Sequence, residues 1–263
     1  MLASDEVIDQ SYLKKGDVKV ESKQVHVMEH LQELRSRIIK TLIGFVVAFI
    51  GSFIYVQQIY ELLVKDIDGK LAVLGPSDIL WVYMMIAAVC AIAATIPLAA
   101  YQLWRFVAPA LKPEERKVTS WFIPWLFILF IAGISFGYFV LFPIVLGFLT
   151  SLSAGQFEMV FTAEKYFRFM INLIVPFGIL FEMPLVVMFL TRLGILNPTV
   201  LKKSRKLSYF GLVIISIVIT PPDIISDILV IIPLLVLYEM SVQLSNIVYR
   251  KRLMKEEAAL PIA

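Results

Sequence analysis

Six apolar stretches, at about 38–56, 80–104, 121–149, 166–191, 207–221 and 227–249, leave this chain few ways to fold. A hydrocarbon core about 30 Å thick needs roughly 20 apolar residues per helical crossing, and most of the six reach or approach that length. Backbone polar groups in lipid must be satisfied within the spanning element, which restricts runs of this kind to helices. At 59% hydrophobic and 17% charged residues, with a mean hydropathy of +0.83, the composition lies outside the soluble range. The expected fold is an all-α integral membrane protein of six transmembrane helices. Residues 28–250 form the membrane domain, 1–27 a polar tail and 251–263 a C-terminal tail. The first apolar run follows 37 largely polar residues, so no cleavable signal peptide is expected.

Orientation follows from the 24 Lys and Arg. Seven lie up to Lys40, four between Arg105 and Lys117, five between Arg192 and Lys206, and four after residue 249. Only Lys65, Lys70, Lys165 and Arg168 fall in the intervening connections. The positive-inside rule then sets both termini in the cytoplasm. Cys90, inside the second span, is the single cysteine and allows no internal disulfide.

The spans carry an unusual number of interruptions. Pro97, Pro124, Pro143, Pro176, Pro184 and Pro233 each remove a backbone donor, and together they predict a curved, concave bundle. The fifth span has only fourteen residues, Leu207 to Thr220, before Pro221-Pro222-Asp223, about 21 Å of helix against a core of about 30 Å. A stunted hairpin of short fifth and sixth spans is therefore expected, with local bilayer thinning or a protein-lined hollow beside it.

Within the fourth span, Glu182 is a lone carboxylate in the run from Ile174 to Val187. An ionisable group at bilayer depth costs roughly 2.5–3.5 kcal/mol on insertion scales, which makes it a functional candidate by default. Gly133-Ile134-Ser135-Phe136-Gly137 matches a nucleophile elbow, but it lies inside a span, and the only histidines, His26 and His30, precede the first one. Close helix packing is the better reading of Gly133 and Gly137, as of the small residues Gly44, Ala48 and Ser52. No phosphate loop, metal-ligand cluster or catalytic constellation is present, so neither an enzyme nor a cofactor or metal site is expected.

Two polar patches remain at the cytoplasmic edge. In His30-Leu31-Gln32-Glu33-Leu34-Arg35-Ser36-Arg37-Ile38 the apolar residues share one helical face, while Glu33 and Arg37 pair at i,i+4 on another. Lys112-Pro113-Glu114-Glu115-Arg116-Lys117 follows Trp104 to Leu111 in the first cytoplasmic loop. By spacing alone, both read as ordinary solvated or interfacial segments.

Taken together, His30–Arg35, Tyr101-Gln102-Leu103-Trp104-Arg105-Phe106-Val107-Ala108-Pro109-Ala110-Leu111, Phe177–Pro184 and Thr220-Pro221-Pro222-Asp223 resemble the TatC family, the core subunit of the twin-arginine protein translocase. The resemblance runs in order over about 28–250. It implies a glove-shaped receptor in the bacterial cytoplasmic membrane that binds twin-arginine signal peptides of folded precursors. Single-span TatA-type and TatB-type subunits would be its partners, the proton-motive force its energy source, and a homo-oligomer a possible assembly, with no part for nucleic acid.

By the same resemblance the signal-contacting carboxylates are Glu33 and Glu115, with Phe106 as their apolar neighbour and Arg35, Arg37 and Arg116 beside them. A planar guanidinium matches a carboxylate bidentately and an ammonium does not, so two acceptors suit a pair of arginines. Glu114 duplicates the acid before Arg116. The intramembrane and partner-contacting set is Glu182, facing the hollow, Asp223 and Asp227 at the outer turn, and Glu239 in the inner part of span six. The competing class is a proton- or ion-coupled secondary transporter, which also uses intramembrane acids and broken helices. Against it, the two halves of the chain share no internal similarity.

Overall fold

The structure, a computed structural model, describes residues 31–65, 71–108, 122–153, 160–221 and 223–258. Among them the regular secondary structure is helical apart from one isolated parallel bridge between Ala72 and Thr162. The helices are α1 (Leu31–Ile54), α2 (Val56–Val64), α3 (Pro76–Val107), α4 (Phe122–Phe136), α5 (Phe142–Ser153), α6 (Ala163–Leu180), α7 (Met183–Arg192), α8 (Pro198–Lys203), α9 (Arg205–Ile219) and α10 (Ile224–Ala258).

Among the described residues, five helical stretches are long and apolar enough to cross a membrane: Leu31–Ile54, Pro76–Val107, Phe122–Leu152, Ala163–Arg192 and Ile224–Met254. The remaining expected crossing is α9, whose 15 residues give about 22 Å of helix. The expectation of a short sixth span needs correction. Nothing but Pro233 interrupts α10, which continues for 35 residues, its apolar part running on into the charged segment from Arg250. The shortness belongs to α9 alone.

Proline acts unevenly. Pro97, Pro176 and Pro233 sit inside continuous helices. Pro143 follows a five-residue π turn, Gly137–Leu141, that joins α4 to α5. Pro184 separates α6 from α7. Its nitrogen cannot bond the Leu180 carbonyl, and the chain tightens through Phe181 and Glu182, where the Glu182 amide reaches only three residues back, to Ile179 at 3.1 Å.

The glycines expected to pack do so. A Cβ on Gly133 would lie 2.6 Å from the Phe177 carbonyl oxygen and 2.9 Å from Gly178 Cα, and one on Gly137 would lie 3.0 Å from Ile174 Cα. Together these two positions let α4 and its π turn approach the α6 backbone closely. Around that contact gather the fully buried Phe130, Phe167, Leu173 and Phe177, with Phe136 against both Phe177 and Phe181 at ring-centroid distances of 6.0 and 5.5 Å. In lipid, apolar surface has nothing to gain by leaving the solvent, so contact of this kind holds the bundle.

The Ala72–Thr162 bridge ties the starts of α3 and α6 to one end of the molecule. The far ends of α3 and of the α6–α7 segment carry Arg105 and Arg192. The first turns of α1 join them, because Leu34 lines one groove with Leu103 and Phe106. Along α10, Ser245 donates to Thr191 at 2.7 Å while the Thr191 hydroxyl itself donates to the Val187 carbonyl at 2.8 Å. Basic residues thus collect at one end, as the sequence pattern requires.

Candidate functional site

The first turns of α1 and the last turns of α3 enclose two adjoining hollows. Nearer the end lies a polar recess of about 360 Å³ lined by Gln32, Glu33, Ser36, Arg37, Lys40 and Arg105. Deeper between the helices runs an apolar groove of about 430 Å³, lined by Leu34, Arg37, Ile38, Thr41, Leu42 and Phe45 of α1 and Ile92, Thr95, Ile96, Ala99, Gln102, Leu103 and Phe106 of α3. Arg37 belongs to both.

Helical spacing explains this arrangement. Glu33, Arg37 and Lys40 fall on one stripe of α1, while Leu34, Ile38, Leu42 and Phe45 fall on the adjacent stripe facing α3. Arg37 and Glu33 form an i,i+4 ion pair, with the Arg37 side chain 13% exposed and that of Glu33 37% exposed. In the groove, the Thr41 and Thr95 hydroxyls donate to their own helices, to the Arg37 carbonyl at 3.0 Å and the Ala91 carbonyl at 2.7 Å. Their polarity is spent locally, and the groove wall is effectively hydrocarbon.

Of the expected signal-binding residues, the structure brings together Glu33, Arg37 and Phe106. Arg35 is exposed and lines neither hollow. Glu114, Glu115 and Arg116 lie outside the described residues, as do His26 and His30. Sequence reading missed Lys40 and Arg105, although Lys40 sits seven residues after Glu33 on the same face, a spacing that could have found it.

The intramembrane acids occupy three separate environments. Glu182 lies in the joint between α6 and α7, both carboxylate oxygens sealed from solvent without a well-formed hydrogen bond, and the Phe130 backbone facing it. Its neighbours Pro184 and Leu185 line an apolar hollow of about 330 Å³ with Phe122, Trp125, Leu129, Met188 and Leu244.

Asp223 and Asp227 have work at the start of α10. Asp223 Oδ2 accepts from the Ser226 amide at 2.7 Å, an N-cap at the positive end of the helix dipole. The Asp227 carboxylate accepts from the Thr220 hydroxyl, and its carbonyl accepts from Ser216 Oγ at 3.1 Å, so the end of α9 is tied to the beginning of α10.

Glu239 is held at the basic end. Its Oε2 pairs with Arg205 at 2.8 Å and its Oε1 accepts from the Tyr209 hydroxyl at 2.6 Å, while the Tyr238 hydroxyl donates to the Leu201 carbonyl at 2.8 Å. Short α9 is therefore fastened to α10 at both ends by polar contacts. Glu239→Leu is expected to destabilise the protein by up to about 1 kcal/mol, since the ion pair it removes is part-exposed and water can take over much of what Arg205 loses. Adding Arg205→Leu should recover most of that loss. Thermal unfolding of the two single variants and the double in detergent checks the pair, and additive losses would refute the coupling.

Residues 29–233 match the family model described as "Sec-independent protein translocase protein (TatC)". TatCd of Bacillus subtilis strain 168 is 68% identical over 240 residues, covering 91% of this chain and 99% of TatCd. TatCy of the same organism is 43% identical over 232 residues, covering 87% of this chain and 91% of TatCy. A crystal structure of the twin-arginine translocase receptor TatC superposes with a TM-score of 0.74 at 32% identity, covering 83% of this chain and 99% of that one. With helices long enough to span a bilayer several times, the chain is a multi-pass membrane protein and a core subunit of the translocase. It belongs to the TatC family of Sec-independent protein translocase proteins.

Proposed function

We propose that this chain is the receptor of a twin-arginine translocase in the bacterial cytoplasmic membrane. Both termini face the cytoplasm, and twin-arginine signal peptides of folded precursors bind in the cleft between α1 and α3. The observation that carries this reading is Glu33 at the mouth of an apolar groove. A signal of this class joins a pair of guanidinium groups to an apolar segment, and the cleft offers a counterpart to each. Arg37 already holds Glu33 as an incoming arginine would, so a signal has to share or displace an internal guanidinium. Glu115 supplies the second acceptor in this reading, Phe106 packs at the groove mouth, and Arg35 and Arg116 flank the acids. Glu182, Asp223, Asp227 and Glu239 serve the intramembrane side, where single-span TatA-type and TatB-type helices assemble with the chain and the proton-motive force drives export. Basic residues gathered at the end that holds Glu33 support the cytoplasmic orientation.

The test is binding of an Arg-Arg signal peptide and its Lys-Lys counterpart to the purified protein in nanodiscs of zwitterionic lipid. Arg-Arg is expected to bind about tenfold or more tightly, because a hydrogen bond to a charged group contributes about 1.5–3 kcal/mol. Glu33→Gln and Glu115→Gln should each remove most of that discrimination. Equal affinity for the two peptides, unchanged in both variants, would overturn the receptor reading.

A further inference from the structure

The charge in the α1–α3 cleft does not suit a cationic peptide alone. Three cations, Arg37, Lys40 and Arg105, line the recess against one carboxylate, Glu33. Glu33 offsets Arg37. Lys40 and Arg105 have no carboxylate partner among the described residues, and the Tyr101 ring, 5.9 Å from the Arg105 guanidinium carbon, leaves that charge in place. The loop after α3 does not reverse the balance, since its sequence carries Lys112, Arg116 and Lys117 against Glu114 and Glu115.

Directly below this basic recess lies a wall of hydrocarbon. The groove runs from Leu34 to Phe45, about 17 Å along α1, and from Phe106 back to Ile92, about 21 Å along α3. One leaflet of a bilayer core is about 15 Å deep. A ligand for the whole cleft therefore has an anionic head at the membrane surface and an apolar chain one leaflet long.

We propose that, with no signal peptide bound, the cleft holds an anionic phospholipid from the surrounding bilayer, its phosphate in the recess and an acyl chain in the groove. A zwitterionic lipid offers the same phosphate but brings an ammonium toward Lys40 and Arg105, so the recess selects against it. The lipid also covers groove surface whose hydroxyls are already bonded elsewhere. A signal peptide arriving at Glu33 then displaces a bound lipid rather than filling an empty cleft.

The experiment uses the full-length protein in detergent with no peptide present. Phosphatidylglycerol and phosphatidylcholine, each spin-labelled deep in one acyl chain, are compared by the immobilised fraction of the resonance spectrum. The expected preference for phosphatidylglycerol is about 25-fold, on the basis of about fivefold for each of the two unpaired cations, Lys40 and Arg105. Lys40→Gln with Arg105→Gln should bring the two lipids within about twofold of each other. Ala99→Trp, which fills the groove and leaves the recess charges intact, should remove the immobilised fraction for both. A wild-type ratio near one overturns the proposal, and so does a double variant that keeps the wild-type preference. Displacement of the lipid by millimolar inorganic phosphate alone would reduce the site to a free anion site and also overturn it. Because the ratio is measured without peptide, it stands or falls independently of Arg-Arg over Lys-Lys discrimination.

Discussion

Replacing Gly133 with leucine is expected to remove folded protein from the membrane, and even Gly133→Ala should lower the unfolding temperature by several degrees. The reason is what a side chain would meet. A Cβ at this position lies 2.6 Å from the Phe177 carbonyl oxygen and 2.9 Å from both Gly178 Cα and Phe181 Cβ. Two of these atoms are backbone of α6, and a helix cannot swing away as a flexible side chain can. Relief requires moving α4 away from α6, which loosens the ring contacts of Phe136 with Phe177 and Phe181 and uncovers the fully buried Phe130. Overpacking a tight contact costs about 1–3 kcal/mol even where neighbours adjust, and here they are backbone. Gly51 and Gly147 are the controls, because a Cβ on either meets nothing within 4 Å. Alanine at those helical positions should be neutral or stabilising by up to about 1 kcal/mol. Fluorescence-detected size exclusion and thermal unfolding of the four variants check this. An unchanged unfolding temperature for Gly133→Ala would show that α4 and α6 do not pack as described.

Much of this architecture was legible because membrane folding depends on a few coarse quantities. The lengths of the apolar runs located five spanning helices, and the short run before Pro221 identified the short α9. The same reasoning missed the length of α10, because hydropathy marks where lipid ends and not where a helix ends. Past Tyr249 the charged residues no longer suit lipid but still suit a helix. At the site, i,i+4 spacing was enough to pair Glu33 with Arg37. It could not bring Arg105 to Lys40, which requires knowing that α1 and α3 lie antiparallel in contact. Partners across long separations were equally hidden. Arg205 and Glu239 are 34 positions apart, and Thr220 meets Asp227 only because α10 runs back along α9. Those contacts also change the standing of the acids. Asp223, Asp227 and Glu239 each have a structural partner that accounts for their presence, and Glu182 has none of normal geometry among the described residues.

That difference makes Glu182→Leu the most informative single substitution in the membrane, with opposite effects expected on stability and on transport. Both oxygens of Glu182 are enclosed without a well-formed hydrogen bond, so the folded protein carries the desolvation of a polar group with little in return. An unsatisfied polar group of this kind costs about 1–3 kcal/mol by mutational measures. Leucine is of similar size and removes that cost, so the unfolding temperature in detergent should rise by a few degrees. Transport of a twin-arginine precursor into vesicles holding only this variant should fall more than tenfold, if the carboxyl group is kept for a polar partner that arrives during the cycle. Glu182→Gln separates hydrogen bonding from ionisation. Retained transport with Gln assigns the role to a hydrogen bond from a signal or partner helix, whereas loss equal to that of Leu assigns it to the acid itself. Full transport by the Leu variant would remove Glu182 from the mechanism. A fall in stability would show instead that the carboxyl group already has its partner within the folded chain, and that its place in the joint between α6 and α7 is structural.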